Sequence, residues 1–290
     1  MANISFDMSQ VRADKYFTVD ITSRTGMNHQ IGAMRWLVAE AIALGRTPVI
    51  PVPSLNSIHN FGRNIQTTFS KYLDLERIII RADGKSFFFK AIQSGDLPEL
   101  AGLSALKVEK EKIITSEQNA DYDMIIRKNP NGMTIRNIHA NFKFSVAFNS
   151  SGPVLGCYTG ISDKLKDYCA MHVRRGDKLT EKPYPNLDRD TRPEKILETL
   201  SGMLPKGSTI YIMTNETDRH YFDSLTKHYH ILQYFDFPEL KGLIESESPD
   251  NFFLYEVEKI IFQKAPRKIY TFSDPSGKPR PCLTSDVGWS

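Results

Sequence analysis

The chain has 290 residues, 40% of them hydrophobic and 24% charged, with a net charge of +3 and a pI of about 8.6. That apolar content supplies a real core and excludes a disordered chain, while the mild basicity tolerates an anionic ligand but falls far short of a nucleic-acid footprint. No window of about 18 apolar residues occurs, so no membrane span is expected.

The length suits one large domain or two ordinary ones. Met1–Asp7 lacks a basic n-region and an apolar h-region, so no signal peptide is expected there. Cys157, Cys169 and Cys282 are odd in number and lack metal-ligand spacing, which fits a reduced, cytoplasmic setting.

In chain order, Tyr16–Ile21 reads as a buried strand. The polar turn Thr22–Gln30 follows, carrying Asn28, His29 and Gln30. Ile31, Met34, Leu37, Val38, Ala41 and Ile42 then recur at helical spacing, with Gly45 as a stop. Thr47–Pro51 reads as a second strand, completing a βαβ unit. A strand-to-helix loop is a natural place for an anion or a sugar hydroxyl, although Asn28 also qualifies as a simple helix cap. Residues 52–150 are less legible. Asn129–Gly132 reads as a turn, and the loop-like Asn149–Pro153 marks a domain boundary, giving an N-terminal domain of 1–150 and a C-terminal domain of 151–290.

The second half alternates clearly. Tyr168–Val173 reads as a strand, Arg192 onward as a helix, Thr209–Thr214 as a strand and Asp218–His228 as a helix. Ile231–Phe235 is a further strand, a helix enters at Asp250, and Lys268–Phe272 closes the pattern. Alternation of this kind implies mostly parallel sheets covered on both faces, with ligands beyond the carboxyl ends of the strands. Arg174, Thr214-Asn215-Glu216 and Ser273 all fall at such ends.

The densest chemistry lies in Cys169-Ala170-Met171-His172-Val173-Arg174-Arg175-Gly176-Asp177-Lys178. Two adjacent guanidiniums are costly to crowd unless an anion sits between them, and the planar fork of arginine matches phosphate oxygens. A solvated Arg-Arg-Gly-Asp loop is the bland alternative. Two Asp-x-Asp runs, Asp121-Tyr122-Asp123 and Asp188-Arg189-Asp190, admit a cation reading, but the pattern is common and arginine already supplies positive charge. No metal or other cofactor is expected.

The string His172-x-Arg174-Arg175-x-Asp177 resembles the His-x-Arg-Arg-x-Asp motif of the fucosyltransferase superfamily, which contains the α1,2-, α1,6- and protein O-fucosyltransferases. It is nearest to the α1,6 branch through Lys178. Gly26, Asn28, Gln30, Leu44-Gly45-Arg46 and Pro51 are similar to that family's opening turn, helix and strand. The resemblance implies an α/β, GT-B-like architecture of two Rossmann-like domains, with a GDP-sugar in the second. It implies inverting, metal-independent transfer of fucose from GDP-fucose to a glycan hydroxyl.

Carried over residue by residue, the resemblance makes Arg174 the group on the β-phosphate, with Arg175 sharing the diphosphate or orienting the loop. His172 faces ribose or guanine, or is a satisfied strand-end histidine. Asp177 orients Arg174, Lys178 lies near the phosphate, and Glu181 is the candidate base, although the stretch from Lys178 is one residue shorter than in the family. Asn28, His29, Gln30, Thr214, Asn215 and Ser273 complete the donor contacts. Glu258 reads guanine, or is a solvated helix carboxylate. Asn215 departs from the family's Asp, and Asp274-Pro275 departs after Ser273. These departures keep open a different nucleotide-sugar donor or an inactive nucleotide- or glycan-binding relative. The expected partners are the nucleotide-sugar and a glycan acceptor, with no nucleic acid. Phe87, Phe88, Phe89 and Tyr184 are candidates for stacking on sugar rings, with core packing as the plainer use.

Overall fold

A computed structural model describes residues 7–20, 27–53, 67–96, 102–109, 112–128, 142–180, 186–245 and 250–270, without the side chains of Met8, His29 and Asp177. The fold is α/β with mostly parallel sheets, in two compact units, Met1–Val154 and Leu155–Ser290.

The first unit is built on β1 (Arg12–Asp20), α1 (Met27–Ala43) and β2 (Arg46–Ile50). Met27, Ile31, Met34 and Val38 form one buried stripe, so the apolar face of α1 begins a turn earlier than the sequence pattern implied. Gly45 ends the helix at a φ of 66°, where a Cβ would lie 2.8 Å from the Gln10 carbonyl oxygen. Further along come β3 (Ile78–Ala82), β4 (Lys85–Phe89), β5 (Ile92–Gln93), β6 (Ala105–Val108), α2 (Ser116–Asp121), β7 (Met124–Lys128) and β8 (Phe144–Ala147). The parallel sheet runs β5-β2-β1-β7-β6. A separate antiparallel sheet runs β4-β3-β8, its hairpin closed by Asp83 and Gly84, both at positive φ. Asp-Gly with two left-handed residues matches the twist of a two-residue hairpin.

The second unit contains α3 (Gly152–Leu165, beginning at the boundary), β9 (Cys169–Val173), α4 (Leu187–Asp190), α5 (Pro193–Ser201), β10 (Thr209–Thr214), β11 (His230–Leu232), α6 (Pro238–Ile244), α7 (Asn251–Lys264) and β12 (Arg267–Tyr270). Its sheet is wholly parallel in the order β11-β10-β9-β12. Met171, Val173, Ile210, Ile212 and Ile269 pack on one face with Ile196 and Leu200 of α5. Asp250 caps α7, its carboxylate accepting from the Phe253 N–H at 2.9 Å.

Two expected elements are shorter than the pattern implied. The helix over Asp218–His228 reduces to a 3₁₀ turn at Asp223–Lys227, because the buried anchors Phe222 and Leu225 recur at a spacing of three and Asp218 ties back to the His220 N–H. The strand over Ile231–Phe235 ends at Leu232, where Gln233 and Asp236 bond each other reciprocally and fold the chain into a 3₁₀ turn. Asn129–Gly132 lies outside the described residues. Among the described residues no helix is long and apolar enough to cross a membrane.

Candidate active site

In the second unit the chain runs from β9 to β10 to β11 on one side, then returns to place β12 on the other side of β9. Connections therefore diverge between β9 and β12, and in such sheets ligands lie beyond the carboxyl ends of the strands at that point. Arg174 is the first residue after β9 and is half-buried.

The two arginines have different environments. Arg175 is buried, and its guanidinium is met on every side by protein. Nε donates to Glu216 Oε2 at 2.8 Å, Nη2 to Asp188 Oδ1 at 3.0 Å and Nη1 to Thr191 Oγ1 at 2.5 Å. The guanidinium carbon lies 4.4 Å from the ring centre of Tyr221. Asp188 also receives Arg192 at 2.6 Å, and those two arginines, Arg192 foremost, hold its carboxyl below the usual range. Thus the anion expected between the paired guanidiniums is provided, for Arg175, by Glu216 and Asp188. Of the two roles expected for Arg175, orienting the loop is the one these contacts support.

Asn215 has a comparable internal role. Its Oδ1 accepts from the Arg175 N–H at 2.7 Å and its Nδ2 donates to the Arg175 carbonyl at 3.2 Å, so one side chain pins both backbone groups of the loop. Gly176 turns there at a φ of 56°, and a Cβ at that position would collide with the Asn215 amide. Asn215 thus serves as a loop clamp, a role that an uncharged amide can fill at this strand end. Glu216 completes the turn, its N–H donating to Thr214 Oγ1 at 3.0 Å.

His172 sits on β9 between Met213 and Tyr270 in register, with the Tyr270 ring edge-on at 6.4 Å. Burial first, and then the charge of Arg174, push its imidazole down to about 4. It is neutral at physiological pH and presents one donor and one acceptor nitrogen. Lys178 lies on the 3₁₀ turn Gly176–Thr180 that continues the loop, its N–H bonded to the Arg175 carbonyl at 3.1 Å. Asp177 shares that turn.

Glu258 is not on a solvated helix face. It is buried on α7, accepts the Tyr211 hydroxyl at 2.8 Å, and burial pushes its carboxyl up to about 8. Of the two readings of Glu258, the solvated helix carboxylate is the one its burial excludes. In the first unit Asn28 and His29 lie within the first turn of α1 rather than in a loop. Asn28 is exposed and is the second helical residue, while Gln30 is buried. Glu181 and Ser273 lie outside the described residues.

Both Asp-x-Asp runs have internal partners. Asp188 holds two arginines, Asp190 pairs with Arg189 at 2.9 Å, and Asp123 binds Ser104 and Lys15 and is held down to about 2, chiefly by the Ser104 hydroxyl. Sequence reasoning missed Thr191 and Tyr221 as partners of Arg175. The signal available was the four-residue spacing of Asp188 and Arg192, which suits an ion pair on a helical turn.

No family model and no curated protein matches the chain. Among solved structures it is similar to POFUT1 in complex with GDP-fucose, at 10% identity and a TM-score of 0.49, covering 93% of this chain and 97% of that one. It is also similar to the NodZ α-1,6-fucosyltransferase soaked with GDP-fucose, at 10% identity, a TM-score of 0.45 and coverage of 89% and 88%. A selenomethionine form of fucosyltransferase NodZ from Bradyrhizobium matches at 11% identity and a TM-score of 0.44, over 96% of this chain and all of that one. At this distance the chain's own residues must carry any assignment.

Proposed function

We propose that this chain transfers fucose from GDP-fucose to a hydroxyl of a glycan, with inversion at the anomeric carbon and without a metal, on a GT-B-like pair of Rossmann-like domains. The observation that carries this reading is the position of Arg174 within the His172-Val173-Arg174-Arg175 string. It directly follows the central strand at the point where the sheet's connections diverge, on a loop fixed by the buried Arg175 and by Asn215. Arg174 holds the β-phosphate and stabilises charge developing on the departing GDP. A preplaced cationic donor of this kind is worth about 3–4 kcal/mol of barrier. Lys178 adds positive charge on the same loop. Neutral His172 offers hydrogen bonds to the nucleoside without repelling Arg174. Glu181 is the proposed base and Ser273 a proposed phosphate contact. The acceptor oxygen attacks from the face opposite GDP through an oxocarbenium-like transition state.

The test is release of GDP from GDP-fucose, with and without a panel of glycans. Turnover that depends on a glycan supports transfer. GDP binding with no turnover on any glycan contradicts it and identifies a binding-only relative.

One observation favours a second reading in which the reaction stands but the base differs: Glu258, the acid expected at guanine, is enclosed against Tyr211. A thermal-shift panel of GDP, UDP and TDP separates the two, because a ligand of the native state raises its apparent stability. Stabilisation by UDP but not GDP overturns the fucose donor.

A further inference from the structure

We infer that the open face of the β4-β3-β8 sheet binds an acidic oligosaccharide. Register places its residues. Ile79 lies opposite Phe88 on one side and Ala147 on the other, and Arg81 lies opposite Ser86 and Ser145. Residues directly opposite in antiparallel strands share a face, so these side chains form two adjacent rows. The reverse face is the core face, where Ile78, Ile80 and Ala82 are buried. Arg77 precedes β3 with the same parity as Ile79 and Arg81, and its guanidinium lies 4.7 Å from the ring centre of Phe88.

A single exposed phenylalanine is ordinary on a protein surface. Here the ring is 56% exposed on an edge strand, and charge accompanies it on the same face. Among the described residues no carboxylate pairs with Arg77 or Arg81, and the neighbouring Glu76 is taken by Lys90 at 2.7 Å. The two arginines are four strand residues apart, roughly 13 Å along the backbone, and Phe88 lies opposite Ile79 midway between them. A sugar ring presents a C–H-rich face that packs on an aromatic ring, and its hydroxyls suit Ser86 and Ser145. A uronate carboxylate suits the planar fork of arginine. Charge complementarity therefore selects an acidic glycan over a neutral one. One ring and a net charge of +3 do not make the stacked, strongly basic platform of a single-stranded nucleic-acid binder. The role of this face as an acceptor subsite rests on the sugar-transfer reading. Its binding does not.

The test is calorimetric titration of the full chain with galacturonate and hyaluronan hexasaccharides, with cellohexaose as the neutral control and GDP titrated in parallel. At least one acidic hexasaccharide should bind more tightly than cellohexaose by a factor of about ten or more, weakening in high salt. Phe88→Ala and Arg81→Ala should each cost about tenfold, while Phe88→Tyr retains binding and all variants keep wild-type unfolding transitions. Equal binding of cellohexaose, no binding of either acid, or unchanged affinity in Phe88→Ala overturns the inference. So does preferential binding of poly(U), or a halving of the light-scattering mass in Phe88→Ala, which would assign the face to RNA or to a second copy. Loss of GDP binding alone would defeat the transferase reading and leave this surface standing.

Discussion

The two units share one use of arginine, and the second adds another. In the first unit Arg46 and Arg127 are fully buried, and protein oxygens meet their donors. Arg46 donates to the carbonyls of Tyr16, Asp123, Asn119 and Tyr122, stapling the middle of β1 to the starts of β2 and β7. Arg127 forms a two-pronged pair with Glu40 and also donates to the carbonyls of Glu109 and Lys112. In the second unit Arg175 is treated the same way, yet its neighbour Arg174 stands half-buried at the carboxyl edge of the central strand. The lesson is that a cluster of arginines does not mark a site. What sets the second unit apart is that a buried, paired Arg175 fixes the backbone that also carries Arg174, the residue proposed to hold phosphate.

Removing a staple should have the largest effect. Arg127→Ala removes the two-pronged charged donor of the buried Glu40 carboxylate and should lower unfolding stability by about 3–5 kcal/mol in urea titration, whereas converting both residues to leucine should recover much of that loss. A single-site cost below 1 kcal/mol would break the distinction between staples and site residues.

Arg175→Ala should cost about 1.5–3 kcal/mol of stability, because Glu216 loses its charged donor, and should impair turnover through the displaced loop. Arg175→Lys should fail to rescue, since one ammonium cannot reach Glu216, Asp188 and Thr191 together. Full activity in the lysine variant would show that charge alone suffices there.

Smaller effects follow from pH. Glu258 keeps its proton in the native state up to about 8, while the unfolded chain loses it near its ordinary value of about 4.3. Its contribution therefore declines as pH rises between those values, and Glu258→Gln should flatten the slope of stability against pH across that window. His172 works in the other direction. The unfolded chain takes up a proton below about 6.5 that the native imidazole refuses until about 4, so stability should fall as pH drops through that range, and less so in His172→Gln. Unchanged slopes in either variant would mean that the group is not sequestered as described.

The sequence made the alternating architecture of the second unit legible, because buried strands such as Cys169–Val173 and Thr209–Thr214 are continuous apolar runs bounded by polar loops. It also brought out the arginine loop. It did not reveal how the two arginines differ, because the partners of Arg175 lie 13 to 46 residues away and meet it only through the fold. The antiparallel sheet was missed although Asp83-Gly84 was a readable hairpin signal, since the flanking Ile78-Ile79-Ile80 and Phe87-Phe88-Phe89 do not alternate in polarity. The burial of Glu258 was not legible, because helical spacing alone does not tell that the Tyr211 hydroxyl waits on the facing strand.

The most direct measurement is a pair of calorimetric titrations, GDP and guanosine, against wild type and Arg174→Ala. If Arg174 grips the diphosphate, wild type should favour GDP strongly. The variant should lose about 1.5–3 kcal/mol of that preference, with guanosine affinity and unfolding stability unchanged. Equal GDP affinity in both proteins, or an equal loss for guanosine, would contradict the assignment.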